Sequence, residues 1–269
     1  MLMDALLEIQ KLTKDFMLHD LNRRISGCRN VSLSVRAGEF VGITGRSGSG
    51  KSTILRSVYR TNLPQQGSIL YDSRLFGVLD LLEASERQMI QLRRFEIGYI
   101  SQFLNIPPRT TAFTAVVQSA LDAFDVRDGG QKGTVPVSPF TADDKMGHGN
   151  RSLLSSGEPR DIERATREAR RLLEHFELAE ELWDLYPLTF SGGEKLRLNI
   201  AAAMVKQPRL LLLDEPTASL DRDSKLKVRT LIERMKDQGC TMLGIFHDFE
   251  FMEGVCDREF NMQDGFIDG

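Results

Sequence analysis

One run of eight residues constrains the fold more than any other part of this chain. It matches the pattern G-x-x-x-x-G-K-[ST] without a mismatch, between an apolar segment at residues 39–44 and a helix-favouring segment at residues 52–59. The run consists of Gly45, Arg46, Ser47, Gly48, Ser49, Gly50, Lys51 and Ser52, and Thr53 follows it. Glycines permit backbone angles that turn successive N–H groups inward around phosphates, and the N-terminus of the next helix attracts negative charge. The sequence therefore predicts a strand, a phosphate-binding loop and a helix in direct succession.

The end of this loop carries side chains suited to a nucleotide triphosphate. The Lys51 ammonium matches the β- and γ-phosphates, and the Ser52 hydroxyl is a ligand for a bridging Mg²⁺. A second apolar run, residues 210–213, is too short for a helix and ends in Asp214 and Glu215. Ligands of α/β folds bind at the carboxyl ends of parallel strands, so we expect Asp214 to hold Mg²⁺ and Glu215 to polarise an attacking water.

Strands and helices alternate along the rest of the chain. Strand patterns occur at residues 6–12, 30–35, 67–71 and 241–246, and helical patterns at residues 80–95 and 161–176. The alternation predicts a doubly wound α/β core that begins with a β-rich part. Residues 125–159 are polar and rich in Gly, Pro, Ser and Asp, which predicts a long mobile loop.

The composition limits the class of protein. A net charge of −3 over 269 residues argues against a broad nucleic-acid or anionic-membrane surface. No apolar run approaches the length of a membrane span, and residues 1–20 carry acidic side chains and no continuous apolar block, so neither direct membrane insertion nor a secretory signal is expected. Cys28, Cys240 and Cys256 are odd in number and widely spaced, which favours reduced thiols and a cytoplasmic protein over a disulfide or zinc framework.

One short motif and several single positions resemble the ATP-binding-cassette (ABC) ATPases. Residues 191–194 precede a helical segment and are similar to the signature motif of that family. The matching positions are Ser191, Gly192, Gly193 and Glu194 in the signature, Gln102 in the glutamine loop, Asp221 at the end of the D-loop, His247 as the switch histidine, and Phe16 at the site of an aromatic that stacks on adenine. The resemblance extends over nearly the whole chain.

The resemblance implies an ABC-type phosphate-loop NTPase fold, with a RecA-like core, an N-terminal antiparallel β subdomain and a helical signature subdomain. Residues 1–269 would form a single ABC ATPase domain, with the core and β subdomain at 1–98 and 205–269 and a helical lobe at 99–204. The mobile polar insertion, at about 125–160, would lie within that lobe.

The implied activity is hydrolysis of ATP to ADP and phosphate, with ATP and Mg²⁺ bound. Gln102 would join Ser52 and Asp214 in ordering Mg²⁺, Glu215 would act as the base, and His247 would sense the γ-phosphate. The family also places the signature motif against the ATP of a second cassette. It therefore implies a head-to-tail homodimer or heterodimer with a second ABC cassette, active only as a dimer.

Four short sequence segments resemble the PhnL family, the cassette subunits of the bacterial carbon-phosphorus lyase system. The similar segments are residues 101–109, 182–187, 189–194 and 244–248. This implies a role in phosphonate metabolism, with C-P lyase core complex subunits and a companion cassette subunit as partners.

Two alternatives to the phosphonate assignment stay open. The chain could be the nucleotide-binding subunit of an ABC transporter, whose permease would be a separate chain. It could also be an ATP-gated nucleic-acid clamp, but such a clamp needs a long coiled-coil insertion or a basic face, and the sequence has neither. No nucleic-acid partner is therefore expected.

Overall fold

The computed structural model describes residues 5–18, 23–101, 109–124, 159–218, 220–246 and 253–268. Its strands are β1 (Leu7–Leu18), β2 (Arg23–Val35), β3 (Phe40–Thr44), β4 (Gln66–Ser73), β5 (Gly77–Asp80), β6 (Ile97–Ser101), β7 (Leu210–Asp214), β8 (Thr241–Ile245), β9 (Arg258–Gln263) and β10 (Phe266–Asp268). Its α-helices are α1 (Lys51–Val58), α2 (Glu86–Phe95), α3 (Ala112–Phe124), α4 (Pro159–His175), α5 (Gly192–Met204) and α6 (Arg222–Asp237). Short 3₁₀ turns occur at Glu180–Leu182 and Pro187–Thr189. Gln102, Ser219, His247 and the predicted insertion at residues 125–158 lie outside the described residues.

A six-stranded sheet has the strand order β10-β9-β3-β8-β7-β6. All neighbouring strands are parallel except β10, which pairs with β9 in the antiparallel direction. Every residue of β3, β7 and β8 is buried. Continuous apolar strands of this kind are typical of parallel sheets covered on both faces, and they confirm the strands predicted at residues 39–44, 210–213 and 241–246.

A second sheet has four antiparallel strands in the order β2-β1-β4-β5. The sequence prediction was wrong at its edge, because residues 77–80 form strand β5 and the helix predicted from residue 80 begins only at Glu86. Ser85 fixes that start, since its hydroxyl accepts a bond from the Gln88 N–H while the Gln88 side chain accepts one from the Ser85 N–H. An edge strand of four residues that includes Gly77 is too short to show a recognisable alternation of apolar and polar residues in the sequence.

The two sheets and α1 belong to one compact unit, Met1–Phe103 with Gln207–Gly269. Its apolar core draws fully buried side chains from β1, β3 and α1, including Ile9, Ile43 and Ile54. This core holds both ends of the loop that connects β3 to α1.

A second compact unit spans Leu104–Lys206 and contains α3, α4 and α5. In α4, Ala165, Ala169 and Leu172 are buried at three- and four-residue spacing, which confirms one amphipathic helix here. The Trp183 ring stacks on Phe113 with centroids 5.8 Å apart. None of the helices within the described ranges is both long enough and apolar enough to cross a membrane.

Candidate functional site

The loop between β3 and α1 is shaped by close contacts that only glycine allows. Gly45 has a φ of 135° and Gly50 a φ of 104°. A Cβ atom on Gly45 would lie 2.2 Å from the Met262 carbonyl oxygen, and one on Gly50 would lie 1.5 Å from the Gly27 carbonyl oxygen. Both the backbone angle and the space therefore exclude other residues at these positions.

The backbone behind the loop comes from the C-terminal hairpin. The Gly265 N–H donates to the Ser49 carbonyl oxygen at 3.1 Å, and the Gly265 carbonyl oxygen accepts from the Arg29 N–H at 2.7 Å. The β9–β10 turn thus ties the loop to β2. The motif itself gives no sign of this support, which sequence reasoning missed.

The Lys51 side chain lies across the loop. Only 3% of the residue is exposed, and its ammonium donates to the carbonyl oxygens of Gly45 and Arg46 at 2.8 Å each. An ammonium has three hydrogens, so one remains for a ligand oxygen. Burial lowers the pKa of Lys51 below its usual value, and the carboxylates of Glu215 and Asp214 oppose that shift. The positive charge is therefore held next to both acids predicted for this site.

Ser49 supports the view that the loop is built around a ligand. Its hydroxyl oxygen is buried and has no hydrogen-bond partner in the part of the chain that the structure describes. A buried hydroxyl without a partner is destabilising by roughly 1–3 kcal/mol. A phosphate oxygen in the loop would supply the missing acceptor.

Ser52 and Asp214 meet where the first turn of α1 faces the end of β7. The Ser52 hydroxyl donates to Oδ1 of Asp214 at 2.9 Å. Because its hydrogen points at the carboxylate, the Ser52 oxygen keeps its lone pairs for a cation. Mg²⁺ commonly takes one or two protein oxygens and completes its shell with waters and substrate phosphates. This oxygen pair, next to a phosphate loop, fits such an ion.

Two further groups contact the other oxygen of Asp214, and the sequence reasoning assigned a role to neither. The Tyr99 hydroxyl donates to Oδ2 at 2.6 Å, and the Arg56 Nε lies 3.9 Å from the same atom. Parallel pairing of β6 with β7 sets Ser101 opposite Asp214, and Tyr99 lies two residues earlier on the same strand. The only sequence signal was a polar aromatic residue within a mostly apolar strand.

Glu215 follows β7 directly and has an unusual backbone. Its φ is 52°, in the left-handed region that non-glycine residues rarely adopt. The Glu215 N–H donates to the Ile245 carbonyl oxygen at 3.1 Å, which anchors the residue to β8. Strained backbone of this kind clusters at active sites, so the geometry favours a functional role for this acid.

Phe16 lies beside the start of α1. A Cβ atom on Gly27 would approach Phe16 Cε2 at 2.6 Å and Thr53 Oγ1 at 3.0 Å, so the ring and the hydroxyl share the space over this glycine. The Lys14 ammonium is 5.3 Å from the ring centroid. The half-buried ring is thus close enough to the loop to serve the predicted stacking on adenine.

The signature residues belong to the second compact unit and begin helix α5. The Ser191 hydroxyl accepts from the Glu194 N–H at 3.4 Å, and the Glu194 carboxylate accepts from the Ser191 N–H at 2.7 Å. This reciprocal cap leaves Ser191 and Gly192 exposed while Gly193 is buried. The exposed N-terminus of a thirteen-residue helix is a suitable surface for an anion.

Asp221 has a structural function of its own. It caps α6, because its two carboxylate oxygens accept from the Ser224 N–H at 2.9 Å and from the Ser224 hydroxyl at 2.7 Å. These bonds hold the pKa of Asp221 below its usual value. A role in nucleotide binding stays a prediction for this residue, as it does for Gln102 and His247.

Of the predicted site residues, the structure brings together one group within the first compact unit. Loop residues 45–53, the acids Asp214 and Glu215 and the ring of Phe16 surround the start of α1. Arg46 and Ser47 are exposed on the loop, although the Arg46 carbonyl oxygen binds Lys51.

Comparison with known proteins gives one family. The family model described as "ABC transporter" matches residues 28–218. The lipoprotein-releasing system ATP-binding protein LolD of Shewanella frigidimarina is 31% identical over 264 residues, which cover 98% of this chain and 92% of LolD. The methionine import ATP-binding protein MetN 3 of Pectobacterium atrosepticum is also 31% identical over 264 residues, which cover 97% of this chain but 63% of MetN 3. The chain thus spans nearly all of one relative and less than two thirds of the other.

Solved structures agree with the sequence comparison. A dimeric structure of MJ0796, a bacterial ABC transporter cassette, has a TM-score of 0.75 and 25% identity over 98% of this chain. A dimeric post-hydrolysis state of the ATP-binding cassette MJ0796, bound to ADP and Pi, also has a TM-score of 0.75, at 24% identity.

Proposed function

Because this chain belongs to the ABC transporter family of ATP-binding cassettes, we propose that it is the nucleotide-binding subunit of a transporter with a separate permease chain. The observation that carries the proposal is the similarity to LolD over 98% of this chain and 92% of that protein. LolD is described as the ATP-binding protein of a lipoprotein-releasing system, and MetN 3 as an ATP-binding protein of methionine import. The chain itself has the ABC cassette fold and is an ATPase.

The chemistry we propose follows from the contacts around α1. The loop N–H groups and the Lys51 ammonium bind the β- and γ-phosphates, and the Phe16 ring stacks on adenine. Ser52 and Asp214 hold Mg²⁺, which when bound neutralises charge on the phosphates. Glu215 orients the attacking water and accepts its proton at a carboxylate oxygen. Catalysis of this kind depends on placement and charge, and the close contacts and hydrogen bonds of the loop fix that placement.

We further propose a head-to-tail dimer. The similar MJ0796 structures are dimeric, and this similarity supports a dimer of this chain. In the arrangement we propose, the exposed helix start at Ser191 and Gly192 faces the γ-phosphate held by the phosphate loop of the other cassette. Gln102 and His247 would complete each site. Because the nucleotide then forms part of the interface, ATP stabilises the dimer.

The named relatives favour transport over the phosphonate hypothesis. LolD and MetN 3 are components of transport systems, and neither comparison points specifically to the PhnL family. The similarity of residues 101–109 and 244–248 to PhnL still makes a C-P lyase assembly the second candidate. The nucleic-acid clamp gains no support from these relatives.

The physiological partner distinguishes the two candidates. Tagged Glu215→Gln protein is expected to bind ATP without hydrolysing it, and it would be isolated from its native cells with Mg²⁺ and ATP. Mass spectrometry of the proteins that co-purify should identify a polytopic permease, in an amount that falls when ATP is omitted. Soluble lyase subunits in place of a permease would contradict the transport proposal and support the phosphonate alternative.

A further inference from the structure

The Asp214 carboxylate is held from two sides. The Ser52 hydroxyl donates to Oδ1 at 2.9 Å, whereas the Tyr99 hydroxyl donates to Oδ2 at 2.6 Å. The bond from Tyr99 is short, as expected when a hydroxyl donates to an ionised carboxylate. Asp214 is only 8% exposed, so these two side chains replace much of the water that would otherwise surround its oxygens.

The Tyr99 ring is packed so that its hydroxyl keeps this position. Its centroid lies 4.9 Å from that of Tyr59, at an interplanar angle of 41°. The Arg93 guanidinium lies 5.0 Å from the Tyr59 centroid on the helix α2 side and donates to the carbonyl oxygens of Tyr59 and Arg60. The ring that supports Tyr99 is thus itself fixed by an arginine.

Tyr99 is a permanent donor in this environment. A phenol is protonated at neutral pH, so the Tyr99 hydroxyl has a hydrogen to donate to the carboxylate. The Arg56 guanidinium also lies near Oδ2, but its Nε is 3.9 Å away and its side chain is 54% exposed. Exposed ion pairs at such a distance contribute little, so the phenol is the main group that orients Oδ2.

We propose that Tyr99 is a positioning residue for the metal site, which fixes the Asp214 carboxylate so that Oδ1 stays directed at Ser52 and the cation. The inference rests on the proposed magnesium role of Ser52 and Asp214. Groups that hydrogen-bond a metal-ligating carboxylate fix its orientation, and their removal typically weakens metal binding about 10- to 100-fold. Tyr99 thereby couples strand β6 to the metal site on β7.

Tyr99→Phe tests this role, because it removes one hydroxyl and retains the ring that packs on Tyr59. Binding of a fluorescent ATP analogue to the full-length chain would be titrated once with limiting Mg²⁺ and once with EDTA. We expect Tyr99→Phe to bind the analogue normally in EDTA and about tenfold more weakly with limiting Mg²⁺. The Mg²⁺ concentration for half-maximal ATP hydrolysis should rise by a similar factor. General damage to the fold would lower both affinities together.

Tyr59→Phe is the matched control, because it removes a hydroxyl from the adjacent ring without touching Asp214. It should behave as the wild type in both titrations. Asp214→Asn is expected to lose the gain in analogue affinity that Mg²⁺ gives the wild type. If it does so while Tyr99→Phe matches the wild type, the positioning role is wrong and the magnesium site stands. If Asp214→Asn keeps the full gain in analogue affinity on adding Mg²⁺, the magnesium site and the inference from it are both wrong.

Discussion

The Ser52 hydroxyl and the Asp214 carboxylate, 162 positions apart in the chain, are joined by a 2.9 Å hydrogen bond. Ser52 lies in the first turn of helix α1, and Asp214 ends strand β7. Their contact brings the phosphate loop and the acidic strand end into a single site.

Ser52→Ala should raise the Mg²⁺ concentration for half-maximal ATP hydrolysis by about a hundredfold, because it removes a proposed ligand and a partner of Asp214. Ser52→Thr is the matched control, since it keeps a hydroxyl at a position where the motif allows either residue. Initial rates measured across a Mg²⁺ titration at saturating ATP give both values. An unchanged Mg²⁺ dependence in Ser52→Ala would remove this serine from the metal site.

Glu215→Gln should retain ATP binding and lose hydrolysis by at least about a hundredfold, because the amide cannot accept the proton of the attacking water. Size-exclusion chromatography with Mg²⁺ and ATP should then show a trapped dimer. Glu233→Gln makes the same chemical change on helix α6, where Glu233 pairs with Arg229 at 3.0 Å, and should keep wild-type turnover. Wild-type turnover in Glu215→Gln would contradict the assignment of the base.

Lys51→Ala should weaken nucleotide binding by roughly 30-fold, since a hydrogen bond from a charged donor is worth about 2 kcal/mol. The variant also leaves the Gly45 and Arg46 carbonyl oxygens without the ammonium that now binds them. Calorimetry with ATP analogues would measure the loss. Lys227→Ala, on the exposed face of α6, controls for the change in net charge, and equal affinity of the two variants would refute the role of Lys51.

The loop geometry predicts unequal effects of alanine at two of its glycines. Gly48 and Gly50 both have positive φ values, of 79° and 104°. A Cβ atom on Gly48 meets nothing within 4 Å, whereas one on Gly50 would lie 1.5 Å from the Gly27 carbonyl oxygen. Gly50→Ala should therefore lower the free energy of unfolding by about 1–3 kcal/mol more than Gly48→Ala. Urea denaturation of both variants measures the difference, and equal losses would mean that the contact with Gly27 does not constrain the loop.

The phosphate loop could be predicted from sequence because its physical requirements are local. Positive φ angles, an ammonium and a hydroxyl within eight consecutive residues leave a pattern that can be recognised without any tertiary contact. Asp214 could be placed near Ser52 because the carboxyl ends of parallel strands meet at one edge of a sheet. This inference required only that residues 210–213 form a parallel strand and that the two acids follow it directly.

The contacts that depend on register could not be predicted in the same way. Tyr99 reaches Asp214 only because β6 and β7 pair with Ser101 opposite Asp214. Glu215, whose φ is positive, donates to Ile245 on another strand, and the Ser49 carbonyl oxygen accepts from Gly265 in the C-terminal hairpin. No short pattern encodes such long-range pairings, so they become visible only in the folded chain.

The head-to-tail dimer predicts complementation between two inactive variants. Lys51→Ala chains would retain an intact helix start at Ser191, and Ser191→Arg chains would retain an intact phosphate loop. In a mixed dimer, one site combines both intact halves and the other combines both defects. Half of the dimers in an equal mixture are mixed, so recovery of about a quarter of wild-type ATPase activity is expected, against almost none for either variant alone. Mixing confirmed by two different affinity tags, with no recovered activity, would contradict the placement of Ser191 at the partner's ATP.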